Sequence, residues 1–285
     1  MGQVRIPDHL AAVVRDVIEG RTTPVTPRDA ATVMLLRPVS GAAQAAGGHR
    51  FEVYMLRRKP TMAFAPGAYV FPGGSVDQRD ADEEVGWAGP DVATWAAALG
   101  TDSQLARALV CAAVRETFEE SGVLLAGPAA DTIVADTTGA DWEADRQALL
   151  DRSLSLAELL GRRGLILRSD LLRPWARWIT PAAEPRRFDA RFFAAALPPG
   201  QRTRDVGGEA AAVQWITPAA ALEAGRAGQI ELWLPTAMTL AELCDHGEVA
   251  EVLAAEREIA PRLPELFEED GQTWLSVPGD REYPL

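Results

Sequence analysis

The chain has 285 residues, 47% of them hydrophobic and 24% charged, with a formal net charge of −13. Such a length allows a core of adequate size and bounds the chain to one large domain or two small ones. The acidic balance argues against a nucleic-acid duplex as partner, and no apolar run is long enough to span a bilayer.

Residues 7–19 read as a short amphipathic helix without the apolar stretch of a signal peptide. Met1-Gly2 opens the chain, but Ile6 stands where a myristoylation motif wants Ser or Thr. Asp29–Pro38 and Phe51–Arg58 read as strands, joined by a Gly-rich hairpin loop. Tyr69–Phe71 reads as a short strand that stops at Pro72-Gly73-Gly74. A helix is predicted from Ser103, a candidate N-cap, to Gly122, a candidate C′ residue. Residues 140–162 read as one helix with a polar side. Strands follow at 175–179, 188–196 and 211–216, then helices at 218–227 and 235–258 and an irregular tail. This mixture lacks regular βαβ spacing and points to α+β, or a mixed sheet between helices.

Cys111 and Cys244 are too few for a disulfide framework and fit a reducing cytoplasm, Cys111 as a buried thiol on an apolar helical face. His9, His49 and His246 show no metal-ligand spacing, and neither Ser-His-Asp nor P-loop spacing is present.

Glu116, Glu119 and Glu120 stand at i, i+3 and i+4 and share one face of the predicted helix. Val110, Val114 and Phe118 lie on the other face. Clustered carboxylates repel and raise one another's pKa, and hard divalent cations relieve that crowding. On spacing alone, a solvated acidic face with Arg115 pairing Glu119 at i+4 suits equally well. Upstream, Tyr69-Val70-Phe71-Pro72-Gly73-Gly74 alone reads as an ordinary turn; beside the carboxylates, its glycines would let backbone pass close to a ligand, and a carbonyl there could join a metal.

Together these segments resemble the Nudix box, G-x5-E-x7-R-E-U-x-E-E-x-G-U, with U a bulky apolar residue. Arg115, Glu116, Glu119, Glu120, Gly122 and Val123 match; Thr117 fills a U position less well. Gly74 and Arg115 stand 41 positions apart where the pattern has 14, so about 27 residues look inserted. The box's first Glu is missing. Asp80, six positions after Gly74, is the candidate replacement. An interrupted box of this kind, with Phe71–Gly74, Trp178–Pro181 and Arg187–Phe193, resembles the peroxisomal coenzyme A diphosphatase branch of the Nudix hydrolases.

The resemblance implies an α/β/α sandwich around a mixed sheet, as one Nudix domain over 1–285. It would carry a helical insertion at 79–106 and a C-terminal helical extension at 235–285. The part of the insertion from Arg79 to Gly100, with Trp87 and Trp95, is expected to form a lobe beside the site; the alternative is a distal excursion. The resemblance also implies a metal-dependent diphosphatase acting on a nucleotide-derived small molecule, coenzyme A or acyl-CoA. ADP-ribose, NADH or a dinucleoside polyphosphate is the alternative, as is a non-catalytic nucleotide-binding module. Mg²⁺ or Mn²⁺ would be held by Glu116, Glu119, Glu120 and the Gly74 carbonyl. Glu119, Arg115 and Glu209 would serve catalysis, Arg115 by orienting a helix Glu. Glu209 stands in a Gly-Gly-Glu loop where family enzymes often supply a further Glu. Arg57, Arg58, Arg186 and Arg187 are candidates for a substrate phosphate, because Arg suits bidentate phosphate recognition. A cytoplasmic location and a homodimer are further expectations.

Overall fold

The computed structural model describes residues 3–6, 11–39, 50–62, 65–81, 85–204, 210–276 and 282–285. The Gly-rich hairpin loop falls at 40–49, outside these residues, as do the first turn of the helix expected at 7–19, His9, His49 and Glu209. In chain order the elements begin with β1 (Gln3–Arg5), α1 (Ala11–Ile18), β2 (Arg28–Pro38), β3 (Phe51–Arg58), β4 (Tyr69–Val70) and β5 (Gly73–Ser75). A 3₁₀ turn at Gln78–Ala81 leads to β6 (Trp87–Ala88), α2 (Val92–Leu99), α3 (Ser103–Ser121) and β7 (Ala126–Gly127). Then come α4 (Ala140–Leu150), α5 (Leu156–Arg163), β8 (Ile166–Arg168), β9 (Arg173–Ile179), β10 (Phe188–Ala196) and β11 (Ala210–Ile216). The chain continues through α6 (Pro218–Arg226), α7 (Leu234–Leu243), α8 (Val249–Ala254), β12 (Pro261–Arg262), β13 (Leu266–Glu269) and β14 (Gln272–Ser276).

The central sheet is mixed, in the order β11-β3-β2-β10-β9-β12. β2 alternates between two cores, as the period-2 pleat requires. Ala31, Val33 and Leu35 face α2, α3 and α5, whereas Met34 and Leu36 face α6, α7 and α8. Val110, Cys111, Val114 and Phe118 of α3 are fully buried against the first face. Burying one such large apolar side chain contributes roughly 1.5–3 kcal/mol. The result is an α/β/α sandwich around a mixed sheet, as expected, and it aims the opposite stripe of α3 at β5.

β2 and β3 pair only from Leu36 to Pro38 and then part. β4 pairs with β3 and β5 with β2, filling the fork. Pro72-Gly73-Gly74 is therefore not a stop. It carries the chain from one arm to the other, and Val33 N–H donates to the Pro72 carbonyl at 2.8 Å.

Several expected boundaries shift. The N-cap of α3 is Asp102, whose carboxylate accepts the Leu105 N–H, because an acid there also favours the helix dipole. Gly122 closes the helix at φ 76°, as expected. The helix expected at 140–162 is two: Arg152 turns left-handed, and a Ser155–Glu158 capping box starts α5. The helix expected at 235–258 breaks between α7 and α8. The tail is not irregular: β13 and β14 form a hairpin that pairs with β1. Its turn, Asp270-Gly271, has positive φ at both residues, 50° and 72°, the primed geometry that suits hairpins. Beyond Ala254 the described residues of the C-terminal extension hold strands rather than helix. Among the described residues no helix is long and apolar enough to cross a membrane.

Candidate active site

Arg115 organises the end of α3. Its Nε and Nη2 donate to Asp80 Oδ1 and Oδ2 at 2.9 and 2.8 Å. Nη1 donates to Glu116 Oε1 at 2.7 Å and to Glu119 Oε1 at 3.2 Å. Nη2 also reaches the Ser75 carbonyl at 3.0 Å. These bonds use all five guanidinium donors, so Arg115 holds carboxylates and has none left for a ligand. Asp80 is 2% exposed; its carboxylate is taken up by Arg115 and the Asp77 N–H and does not line the cleft. The pairing of Arg115 with Glu119 at i+4 is real, but it lies on a buried face rather than a solvated one.

Glu120 Oε2 accepts the Gly73 N–H at 2.8 Å. Gly74 lies against Glu116: a Cβ built there would stand 2.5 Å from its Oε1. Only glycine lets β5 approach the carboxylate this closely. Behind α3, buried Arg146 donates to the Glu119 carbonyl at 2.7 Å and is itself held by Glu143.

Burial pushes the carboxyls of Glu116 and Glu119 above their ordinary range, against the pull of Arg115. Repulsion between the two adds to the rise for Glu116, so desolvation, more than the crowding expected from spacing, sets the direction. The Arg115 guanidinium, though burial opposes its charge, is held more basic than usual by Asp80 and the two glutamates. One guanidinium thus serves three carboxylates. Among the described residues no three Asp, Glu, His or Cys side chains converge as a finished metal cage. The donor chemistry does fit a hard divalent cation: under-compensated carboxylate oxygens beside a glycine backbone.

These groups line one end of a cleft of about 1200 Å³. From there it crosses the sheet face opposite α3. Its floor follows from register: Ala30 pairs with Ala190, and Ala190 with Trp178, while Phe188 and Phe192 flank Ala190 at alternate positions. Val13 and Val14 of α1, Leu266 of β13, Leu275 of β14 and Leu232–Pro235 supply further apolar walls.

Of the predicted phosphate ligands, Arg58 and the exposed Arg186 line the cleft. Arg57 and Arg187 do not. Arg57 alternates to the other side of β3 and donates to the Gly67 carbonyl. Arg187 donates to the carbonyls of Thr180 and Val25. Trp87 and Trp95 also miss the cleft. Trp95 is buried against Phe193 and Trp87 lies under Arg107, so among the described residues of the insertion it is the first turn, at Arg79, that reaches the site. Sequence reasoning missed Arg146, whose neighbours read as an ordinary amphipathic helix. It also missed Glu184, a cleft residue whose carboxyl burial pushes up; its place just after Trp178–Pro181 was the available signal.

A family model described as the NUDT19 Nudix domain matches residues 93–244. The acyl-coenzyme A diphosphatase NUDT19 of Gallus gallus is 26% identical over 90% of this chain and 80% of that protein. The Xenopus laevis protein of the same name is 25% identical over 71% of this chain; the match spans 62% of its length, under two thirds. Among solved structures, a NUDIX hydrolase from Alicyclobacillus acidocaldarius superposes with a TM-score of 0.65 at 26% identity, covering 83% of this chain and 99% of that one. With the match spanning more than half the chain and the box residues gathered at the fork, the chain belongs to the NUDT19 Nudix domain family and is a Nudix hydrolase.

Proposed function

We propose that this protein hydrolyses the diphosphate linkage of coenzyme A or an acyl-CoA, with Mg²⁺ or Mn²⁺ bound. The products would be 3′-phosphoadenosine 5′-phosphate and phosphopantetheine or its acyl form. The observation that carries the reading is the single cleft that joins the α3 carboxylates to a large apolar chamber. A diphosphate suits the first, an apolar tail the second. The cleft exceeds the roughly 300–1,000 Å³ of pockets for drug-sized ligands. The two vertebrate relatives, both named acyl-coenzyme A diphosphatases, support the same substrate class.

In this reading Glu116, Glu119, Glu120 and the Gly74 carbonyl hold the cation. When bound, it neutralises the diphosphate and lowers the pKa of a coordinated water. Glu119 or Glu209 takes a proton from the attacking water. The oxygen of that water bonds to one phosphorus, and the bridging P–O bond breaks, leaving its electron pair on the other phosphate. Arg115, fixed by Asp80, keeps Glu116 and Glu119 in register with β5. Arg58 and Arg186 offer cations to the 3′-phosphate.

The test compares kcat/KM for octanoyl-CoA, CoA, dephospho-CoA, ADP-ribose and NADH under Mg²⁺ and Mn²⁺. Octanoyl-CoA is expected at least about tenfold above CoA, since burying only two methylenes at about 0.8 kcal/mol each already gives that factor. CoA is expected above dephospho-CoA. ADP-ribose or NADH cleaved far above CoA would discard the substrate assignment. A preference for dephospho-CoA would discard the role of Arg58 and Arg186.

A further inference from the structure

Three non-glycine residues among those described adopt a left-handed backbone: Ala65, Arg152 and Asp270. Asp270 sits in the β13–β14 hairpin, where Asp is at home. The other two line the cleft. Arg152 is the sharper case. It follows the cap of α4, with its N–H on the Leu149 carbonyl and the Ser153 N–H on the Ala148 carbonyl. At φ 59°, this is the helix-ending position that glycine fills without strain. An arginine there needs a reason, and strain retained at a cleft points to function.

The turn is anchored to the carboxylates by a continuous chain of bonds. Arg79 Nη1 donates to the Arg152 carbonyl at 3.1 Å, while Arg79 Nε and Nη2 grip Asp77. Asp77 N–H donates to Asp80 Oδ2 at 2.8 Å, and Asp80 holds Arg115. Arg79, Arg115 and Arg146 are all engaged with carboxylates. Arg152 is exposed and lines the cleft, and among the described residues its guanidinium pairs with no carboxylate. A cationic side chain thus stands in the cleft that the α3 carboxylates line, on a turn bonded to them through Arg79, Asp77 and Asp80, at a cost in backbone strain.

We propose that Arg152 is a substrate-binding residue, its guanidinium pairing with a phosphate oxygen of the bound diphosphate. This rests on the diphosphatase reading but not on which diphosphate is the substrate. The test uses Arg152→Gly, which removes the cation and the strain together, and Arg152→Lys, which keeps the charge. ADP is titrated calorimetrically in Mg²⁺, thermal melts are run without ligand, and kinetics are measured on CoA. For Arg152→Gly, the ADP dissociation constant and the KM for CoA are expected to rise about tenfold, with a smaller change in kcat. Its melting temperature should rise by about 2 °C. Arg152→Lys should recover part of the affinity. Unchanged ADP affinity in Arg152→Gly overturns the proposal, as does a fall in melting temperature with KM unaltered. If the wild type ignores CoA while Arg152→Gly still weakens ADP, the substrate assignment falls and this inference stands.

Discussion

Glu119→Gln or Glu120→Gln is expected to lower kcat on CoA at least about a hundredfold while leaving the fold intact. Glutamine keeps the shape of each side chain and can still accept the bond from Arg115 or from the Gly73 N–H. It removes a negative charge that a divalent cation would use. Burial already disfavours the charged form of Glu119, so neutralising it costs the folded state little. The melting temperature of Glu119→Gln in the absence of metal should therefore hold or rise, a stability–activity trade common at functional sites. Steady-state kinetics and a thermal melt on the same preparation check both halves. Near-normal turnover in both variants would remove the metal helix from the account.

Asp80→Ala is expected to destabilise the protein by about 3 kcal/mol. The substitution strips two bonds from a buried guanidinium whose charge then lacks its bidentate partner. The loss falls at the low end of the range for a broken buried pair, because Glu116 and Glu119 still accept from Arg115. In a domain of this size, about 3 kcal/mol corresponds to a fall of roughly 6–12 °C in melting temperature. Activity should fall as well, because Arg115 then no longer holds Glu116 and Glu119 in place. Asp80→Asn, which keeps one acceptor oxygen, should lie between. A wild-type melting temperature in Asp80→Ala would show that the fork against Arg115 contributes nothing.

What was legible in the sequence was local. The carboxylates of α3 share a face because helical spacing puts them there, and β3 and β10 were readable in full because their composition is strongly apolar and aromatic. Asp80 could be found by counting from Gly74, but its grip on Arg115 depends on the 3₁₀ turn folding back onto α3. The fork that reroutes Pro72-Gly73-Gly74 from β3 to β2 is a tertiary feature with no local mark. Two errors had visible signals. Ser155 and Glu158 spell a capping box inside what read as one helix, and Asp270-Gly271 is a two-residue hairpin-turn dipeptide with Leu266-Phe267 before it and Trp274-Leu275 after it. Arg57 and Arg58 separate because successive strand residues face opposite ways, so no more than one of the pair could reach the cleft. Arg146 comes from α4, far along the chain, and nothing near it announces a partner in the Glu119 carbonyl.

The most direct test of the central claim is the identity of the products from CoA with and without a divalent ion. Purified protein is incubated with CoA and Mg²⁺, then with EDTA, then with Mn²⁺ restored, and the nucleotides are resolved by chromatography and mass. Equal amounts of 3′-phosphoadenosine 5′-phosphate and phosphopantetheine, lost in EDTA and recovered with Mn²⁺, are the predicted result. Cleavage indifferent to EDTA would contradict the metal-dependent mechanism. Intact CoA, ADP-ribose and NADH under both metals, in a protein that still binds ADP, would mark a nucleotide-binding module instead of a diphosphatase.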